Sequence, residues 1–200
     1  MLDLNFKIKK LDNLKFAHNE LVEYYETVVV THPQLKWTLP PGMDMKNHRV
    51  ADMYSWAIQS NLKDPTKPCS PYHIDVGEEI CEADDCKVPT ALIFGIAKRL
   101  LDTLPDIRQL GISGHPPGTY IALHPDNDEF LKIHIPIKTN KDAWFFFEEE
   151  KFNMEIGSAY IVNTVKNHGT DNQGDTDRIH LIFKFPFSVA ATIMNTEYTI

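Results

Sequence analysis

The chain has 200 residues, 42% apolar and 24% charged, with a formal net charge of -8. That balance suits a globular protein with a core of its own. The acidic excess argues against a nucleic-acid partner, which would select a basic face, and no apolar run approaches the roughly 20 residues needed to span a bilayer.

The start, Met1 to Lys7, mixes charged and apolar residues and lacks the apolar block of a secretory signal. Asp12 or Asn13 then reads as the cap of a first helix with Leu14, Ala17, Leu21, Tyr24 and Val28 on one stripe. It must stop near His32-Pro33, because a residue before proline resists helical geometry. A second helix is expected from Asp44, presenting Val50, Met53, Ala57 and Ile58. A Pro- and acid-rich loop, about 63–85, follows. A third helix enters near Pro89-Thr90, carries Ile93, Ala97, Leu100, Leu101 and Leu104, and ends at Pro105. Three cysteines, Cys69, Cys81 and Cys86, are odd in number and too few for a disulfide framework. Reduced thiols in a cytoplasmic setting are the simplest expectation.

After Pro105 the segments become short, rich in Ile, Val, Tyr, Phe and Thr, and bounded by turn residues. Strands are predicted near Gly118–His124, Phe130–Lys138, Ala143–Phe147, Ala159–Asn163, Arg178–Phe185 and Val189–Met194, with a loop over Gly169–Asp177. Many short strands of this kind point to a sandwich or jelly roll. With no flexible linker at 105, the whole of 1–200 reads as one domain. Residues 1–105 are a mainly helical, substrate-shaping cover, and 106–200 are a jelly-roll core. Parity sharpens this reading, since strand side chains alternate faces. Lys132 and His134 share one face of their strand, opposite Ile133, Ile135 and Ile137. Arg178 and His180 share one face of theirs, opposite Ile179, Leu181 and Phe183. A polar lumen with an apolar back, covered by the N-terminal helices, satisfies both faces.

His124-Pro125-Asp126 places two ligand-type side chains on the same side of an extended segment. His168 follows the third strand further on, Ala159–Asn163. Two histidines and one carboxylate are the ligand set of non-haem iron(II) oxygenases. An HxD pair alone arises by chance, as His73-Ile74-Asp75 illustrates: no similarly spaced His or Arg follows it. Arg178 opens an apolar strand, and an arginine turned inward needs an anion, either a structural carboxylate or a bound one.

Taken in order, Pro117-Gly118-Thr119, His124-x-Asp126, Lys132-x-His134, His168 and Arg178 ten positions later resemble the aspartyl/asparaginyl β-hydroxylase family, including its free-proline-hydroxylase-like members. The likeness covers about Ser113 to Phe185. It implies a double-stranded β-helix (jelly roll, cupin-like) and a dioxygenase that uses Fe(II), 2-oxoglutarate and O2. Such an enzyme hydroxylates an unactivated carbon of an amino acid or of a peptide or protein side chain, releasing succinate and CO2. It also implies roles: His124, Asp126 and His168 as metal ligands, Arg178 with Ser113 on the far carboxylate of 2-oxoglutarate, and Lys132 and His134 near the other end. Two departures stand out. Position 132 is Lys where the family has Arg, and some members lack the carboxylate ligand. Two other readings stay open at this point. One is a cupin-type metal enzyme without 2-oxoglutarate, with His115, His134 or His180 among its ligands. The other is a non-catalytic jelly-roll binding module.

Overall fold

The computed structural model describes residues 5–36, 47–50, 52–61, 68–69, 86–104, 106–126 and 129–200. In chain order the elements are β1 (Ile8–Lys15), α1 (His18–Thr31), β2 (Leu35–Lys36), β3 (Tyr54–Ala57), β4 (Gln59–Asn61), β5 (Pro68–Cys69), β6 (Cys86–Pro89) and α2 (Gly95–Thr103). They continue with β7 (Arg108–His115), β8 (Tyr120–His124), β9 (Phe130–Lys138), β10 (Ala143–Phe147), β11 (Glu150–Phe152), β12 (Ser158–Val162), β13 (His168–Asn172), β14 (Arg178–Pro186), α3 (Phe187–Asn195) and β15 (Tyr198–Thr199).

The strands form an eight-stranded sheet in the order β15-β1-β12-β9-β14-β7-β3-β2, a four-stranded sheet β11-β10-β13-β8, and a small sheet β5-β4-β6. From β7 onward, successive strands fall in the large and small layers as a jelly roll requires. Strands β7, β14, β9 and β12 face β8, β13, β10 and β11. This is a double-stranded β-helix. Its back is apolar: Ile133, Ile135, Ile137, Ile179, Leu181 and Phe183 join Leu21, Tyr24 and Val28 of α1 and Ile96, Ala97 and Leu100 of α2 in one buried cluster. The helices therefore cover the large sheet, as the strand parity requires.

Several boundaries differ from expectation. Among its described residues the first half is not mainly helical. The first helix begins at His18, and Leu11 and Leu14 belong to β1. A register irregularity between Leu11 and Lys15 lets both leucines face the core at a helix-like spacing of three. Val50, Met53, Ala57 and Ile58 form no helix; Tyr54–Ala57 is a strand paired with β7. All four of its residues are buried, so it shows none of the alternation that marks a half-exposed strand. Pro89 ends a strand, and the third helix starts only at Gly95.

At the C-terminal end, 189–194 is helix rather than strand. Ala190 and Ile193, three apart, pack on the core, and the Asn13 amide donates to the carbonyls of Ile193 (2.7 Å) and Thr196 (2.7 Å) at the helix end. Strand β7 was not foreseen, and His168–Asn172 is a strand where a loop was expected. Its His-Gly-Thr-Asp-Asn composition has poor strand propensity; pairing on both edges, with β10 and β8, overrides it. Cys86 is buried and disulfide-bonded, with a partner whose side chain lies outside the described residues. This corrects the expectation of three reduced thiols and removes the ground for a reducing compartment. The start of the second helix at Asp44, most of the 63–85 loop and His73-Ile74-Asp75 lie outside the described residues. Among the described residues no helix is long and apolar enough to cross a membrane.

Candidate metal centre and polar lumen

The turn into β8 needs Gly118, whose φ of 82° lies in the left-handed region. Strand β8 then pairs with β13, His124 opposite His168 and Ile121 opposite Thr170. The extra residue on β8 is a bulge that turns His124 toward the same side as His168. The glycine after His168 is equally constrained. A Cβ at Gly169 would come within 2.5 Å of the Ile121 carbonyl oxygen and of the Phe146 ring.

His124, Asp126 and His168 converge, with their ligand atoms all within 4.8 Å of one another. The His124 Nδ1 lies 2.8 Å from the Ala122 carbonyl and the His168 Nδ1 lies 3.0 Å from the Lys166 carbonyl. A carbonyl only accepts, so each Nδ1 carries the proton and each neutral Nε2 presents a lone pair. Asp126 is fixed at its backbone, whose N–H donates to the Thr164 carbonyl at 2.7 Å. Its Oδ2 pairs with the Lys132 ammonium at 2.7 Å, while Oδ1 lies 3.9 Å from the His124 Nε2. The side chain expected beside a cosubstrate thus also holds one oxygen of the carboxylate.

Electrostatics prepares the same donors. Burial pushes His124 down and His168 down to about 3, so both rings are neutral at pH 7. Burial alone would raise Asp126, but the ammonium groups of Lys132 and Lys184 outweigh it and hold the carboxyl well below its usual range. Two neutral imidazoles and one carboxylate stand ready without releasing protons. Phe145 stacks on His168 with ring centroids 5.4 Å apart, closing one wall with an apolar face.

Cross-strand pairing places the remaining candidates on the lumen face of the large sheet. His115 faces Arg178 and Ser113 faces His180. His134 faces Ile182, and Lys132 faces Lys184. Arg178, Ser113 and His134 are all buried. Neither the Ser113 Oγ nor either ring nitrogen of His134 has a hydrogen-bond partner among the described residues. The lumen thus carries polar groups that the described residues do not satisfy, between the triad and Arg178. Burial, reinforced by Arg178, pushes His115, His134 and His180 well below the usual imidazole range. Among the described residues these three do not join the triad's cluster.

Sequence reading missed Lys184, although its parity with Arg178 signals a lumen position. It had no signal for His48, whose Nδ1 accepts from the Ala122 N–H at 3.2 Å and whose ring lies 6.4 Å from that of His124.

Fold and site together define a jelly-roll protein with a His-Asp-His triad that could hold a metal ion at one end of a polar lumen. The family profile described as aspartyl/asparaginyl beta-hydroxylase matches residues 82–186, just over half of the chain. The chain belongs to that family. No curated protein matches it by sequence. Among solved structures, it is similar to a 2OG-Fe(II) oxygenase family oxidoreductase from Burkholderia pseudomallei, at 12% identity over 82% of this chain and 77% of that one, with a TM-score of 0.49. It is also similar to a double-stranded beta-helix protein from Klebsiella pneumoniae, at 20% identity over 42% and 70% of the two chains, with a TM-score of 0.34. A cupin domain from Bordetella pertussis matches at 16% identity over 40% and 80%, with a TM-score of 0.34.

Proposed function

We propose that this protein is an Fe(II)- and 2-oxoglutarate-dependent hydroxylase. Its substrate is an amino acid or an amino-acid side chain of a peptide or protein, and its by-products are succinate and CO2. Residues 1–200 act as one unit, 106–200 as the catalytic core and 1–105 as the part that shapes substrate choice. The observation that carries the reading is the pairing of two sites at one lumen: a preset His124, Asp126, His168 donor set, and a buried arginine one lumen position along from a serine hydroxyl without a hydrogen-bond partner among the described residues.

The donor set fits a divalent transition metal with open positions, and the unsatisfied lumen groups fit a polar ligand reaching from that metal to Arg178. When bound, iron(II), O2 and 2-oxoglutarate supply the oxidising power, one oxygen atom going to succinate and the other to the substrate. The chain's own residues do the rest. Lys132 fixes Asp126 so that one carboxylate oxygen is free for the metal, and lends its charge to the near end of the cosubstrate. His134 contacts that same end. Arg178 and Ser113 hold the far carboxylate, where the guanidinium supplies a two-pronged grip. Phe145 and the surrounding strands exclude water and keep the substrate carbon in place.

The test is succinate release from 2-oxoglutarate under Fe(II), scored across amino acids and short peptides. Wild type should release succinate, and His168→Ala should not. Full 2-oxoglutarate-dependent activity in His168→Ala would overturn the assignment.

A further inference from the structure

His180 has no task in the reaction as assigned, yet it is fully buried on the lumen face of β14. Neither of its ring nitrogens has a hydrogen-bond partner among the described residues. Its neighbours explain why. On one side it is paired with Ser113, whose hydroxyl is equally without a partner among the described residues; on the other it is paired with Pro136, whose side chain carries no polar group. Next along the same face, toward the triad, comes the apolar Ile182.

His180 also stands at a defined depth. The His168 ring stacks on Phe145 at 5.4 Å, Phe145 meets His134 at 5.4 Å, and His134 meets His180 at 5.6 Å. These contacts mark a track from the triad toward Arg178. Along it, His134 sits nearer the triad, while His180 and Ser113 lie side by side at the far end. Directly opposed residues of an antiparallel pair have Cβ atoms about 5 Å apart, so one small anionic group can touch both. A neutral imidazole offers one N–H and one lone pair. The N–H suits a carboxylate oxygen, and the single O–H of Ser113 can donate to the same carboxylate beside it.

We infer that His180 reads the far end of the cosubstrate: with Ser113 and Arg178 it binds the distal carboxylate, and so it selects a five-carbon 2-oxo diacid over acids that lack that group or place it at another depth. This inference rests on the 2-oxoglutarate reading above. In it, His180 is a specificity residue rather than a metal ligand.

The experiment uses full-length protein loaded with Mn(II), which binds without turnover, and measures binding by calorimetry. The ligands are 2-oxoglutarate and 2-oxovalerate, the latter of equal length but without the distal carboxylate. His180→Leu should weaken 2-oxoglutarate binding about 10- to 100-fold, the worth of a hydrogen bond to a charged group. It should change 2-oxovalerate binding by less than about 3-fold. His180→Gln, which keeps an N–H donor, should recover part of the loss.

Equal weakening of both ligands would mean that His180 only shapes the fold, and would overturn the inference. Unchanged 2-oxoglutarate binding in His180→Leu would overturn it too, while leaving the proposed function intact. Wild type that binds Mn(II) but neither ligand would instead overturn the 2-oxoglutarate reading itself. If His180→Leu does not fold, nitrogen-15 NMR of the wild-type His180 ring decides: its resonances should move on adding 2-oxoglutarate and stay put on adding 2-oxovalerate, and any other pattern overturns the inference.

Discussion

The two faces of β14 are equally dry and chemically opposite. Ile179, Leu181, Phe183 and Phe185 point into the helix-covered core. Arg178, His180 and Lys184 point into the lumen and are also buried. Burial therefore does not separate scaffold from site; satisfaction does. The apolar face has nothing left to bond, whereas on the lumen face the ring nitrogens of His134 and His180 and the hydroxyl of Ser113 have no hydrogen bonds among the described residues. Each such group costs about 1–3 kcal/mol when left unmet. The core face offsets that cost, and a ligand bound in the lumen recovers it.

This contrast can be broken most sharply at the triad. Replacing His124 or His168 with Ala should abolish metal binding, read by calorimetry with Fe(II) under anaerobic conditions, while the melting temperature of the metal-free protein changes little. The opposite pattern belongs to the other face. Leu181→Ala should cost about 2–5 kcal/mol in denaturant unfolding without altering metal affinity per folded molecule. If Leu181→Ala instead removed metal binding from folded protein, the division between the two faces would fail.

A smaller effect separates the two ends of the lumen. Arg178→Ala should raise the 2-oxoglutarate requirement about 10- to 100-fold through loss of a charged hydrogen-bonded pair, and leave Fe(II) affinity within error. Acid titration reaches the same face without mutation. His115, His134 and His180 are held neutral when folded, their pKa values depressed by burial and then by Arg178. Once unfolded they titrate near 6.5, so below that pH the unfolded chain binds the extra protons. Stability of the metal-free protein should be full above about pH 6.5 and fall as pH drops toward 5, by up to about 1.4 kcal/mol per pH unit for each such histidine. A flat melting temperature over that range would show that the rings are not held neutral.

The smallest effect runs the other way. His180→Leu removes unmet polar atoms from the lumen and should stabilise the ligand-free protein by about 1 kcal/mol. A clear loss of stability would show that protein groups already satisfy His180.

Much of this was readable from residue order, for local reasons. Period-two alternation in Phe130–Lys138 and Arg178–Phe185 assigned each side chain to the lumen or the core before any pairing was known, because strand geometry forces alternation. The pre-proline rule ended α1 at the right place, where His32 is extended. The HxD pair, His168 and Arg178 were legible as chemistry because their residue types and spacing are local facts.

What residue order left open depended on partners distant in the chain. Strand β3 is buried on every residue and has no periodicity to read. Strand β13 has poor propensity and exists because β8 and β10 flank it. Leu11 and Leu14 imitated a helix through an irregular register. The position of Lys132 on Asp126, the β8 bulge that aims His124, and the solitude of His180 between Ser113 and Pro136 are all cross-strand facts. Sequence by itself determined which side chains could do the chemistry and which face of a strand they share. Only the tertiary structure decided which strands stand side by side. That register determines whether a buried polar group is satisfied by the protein or left for a ligand.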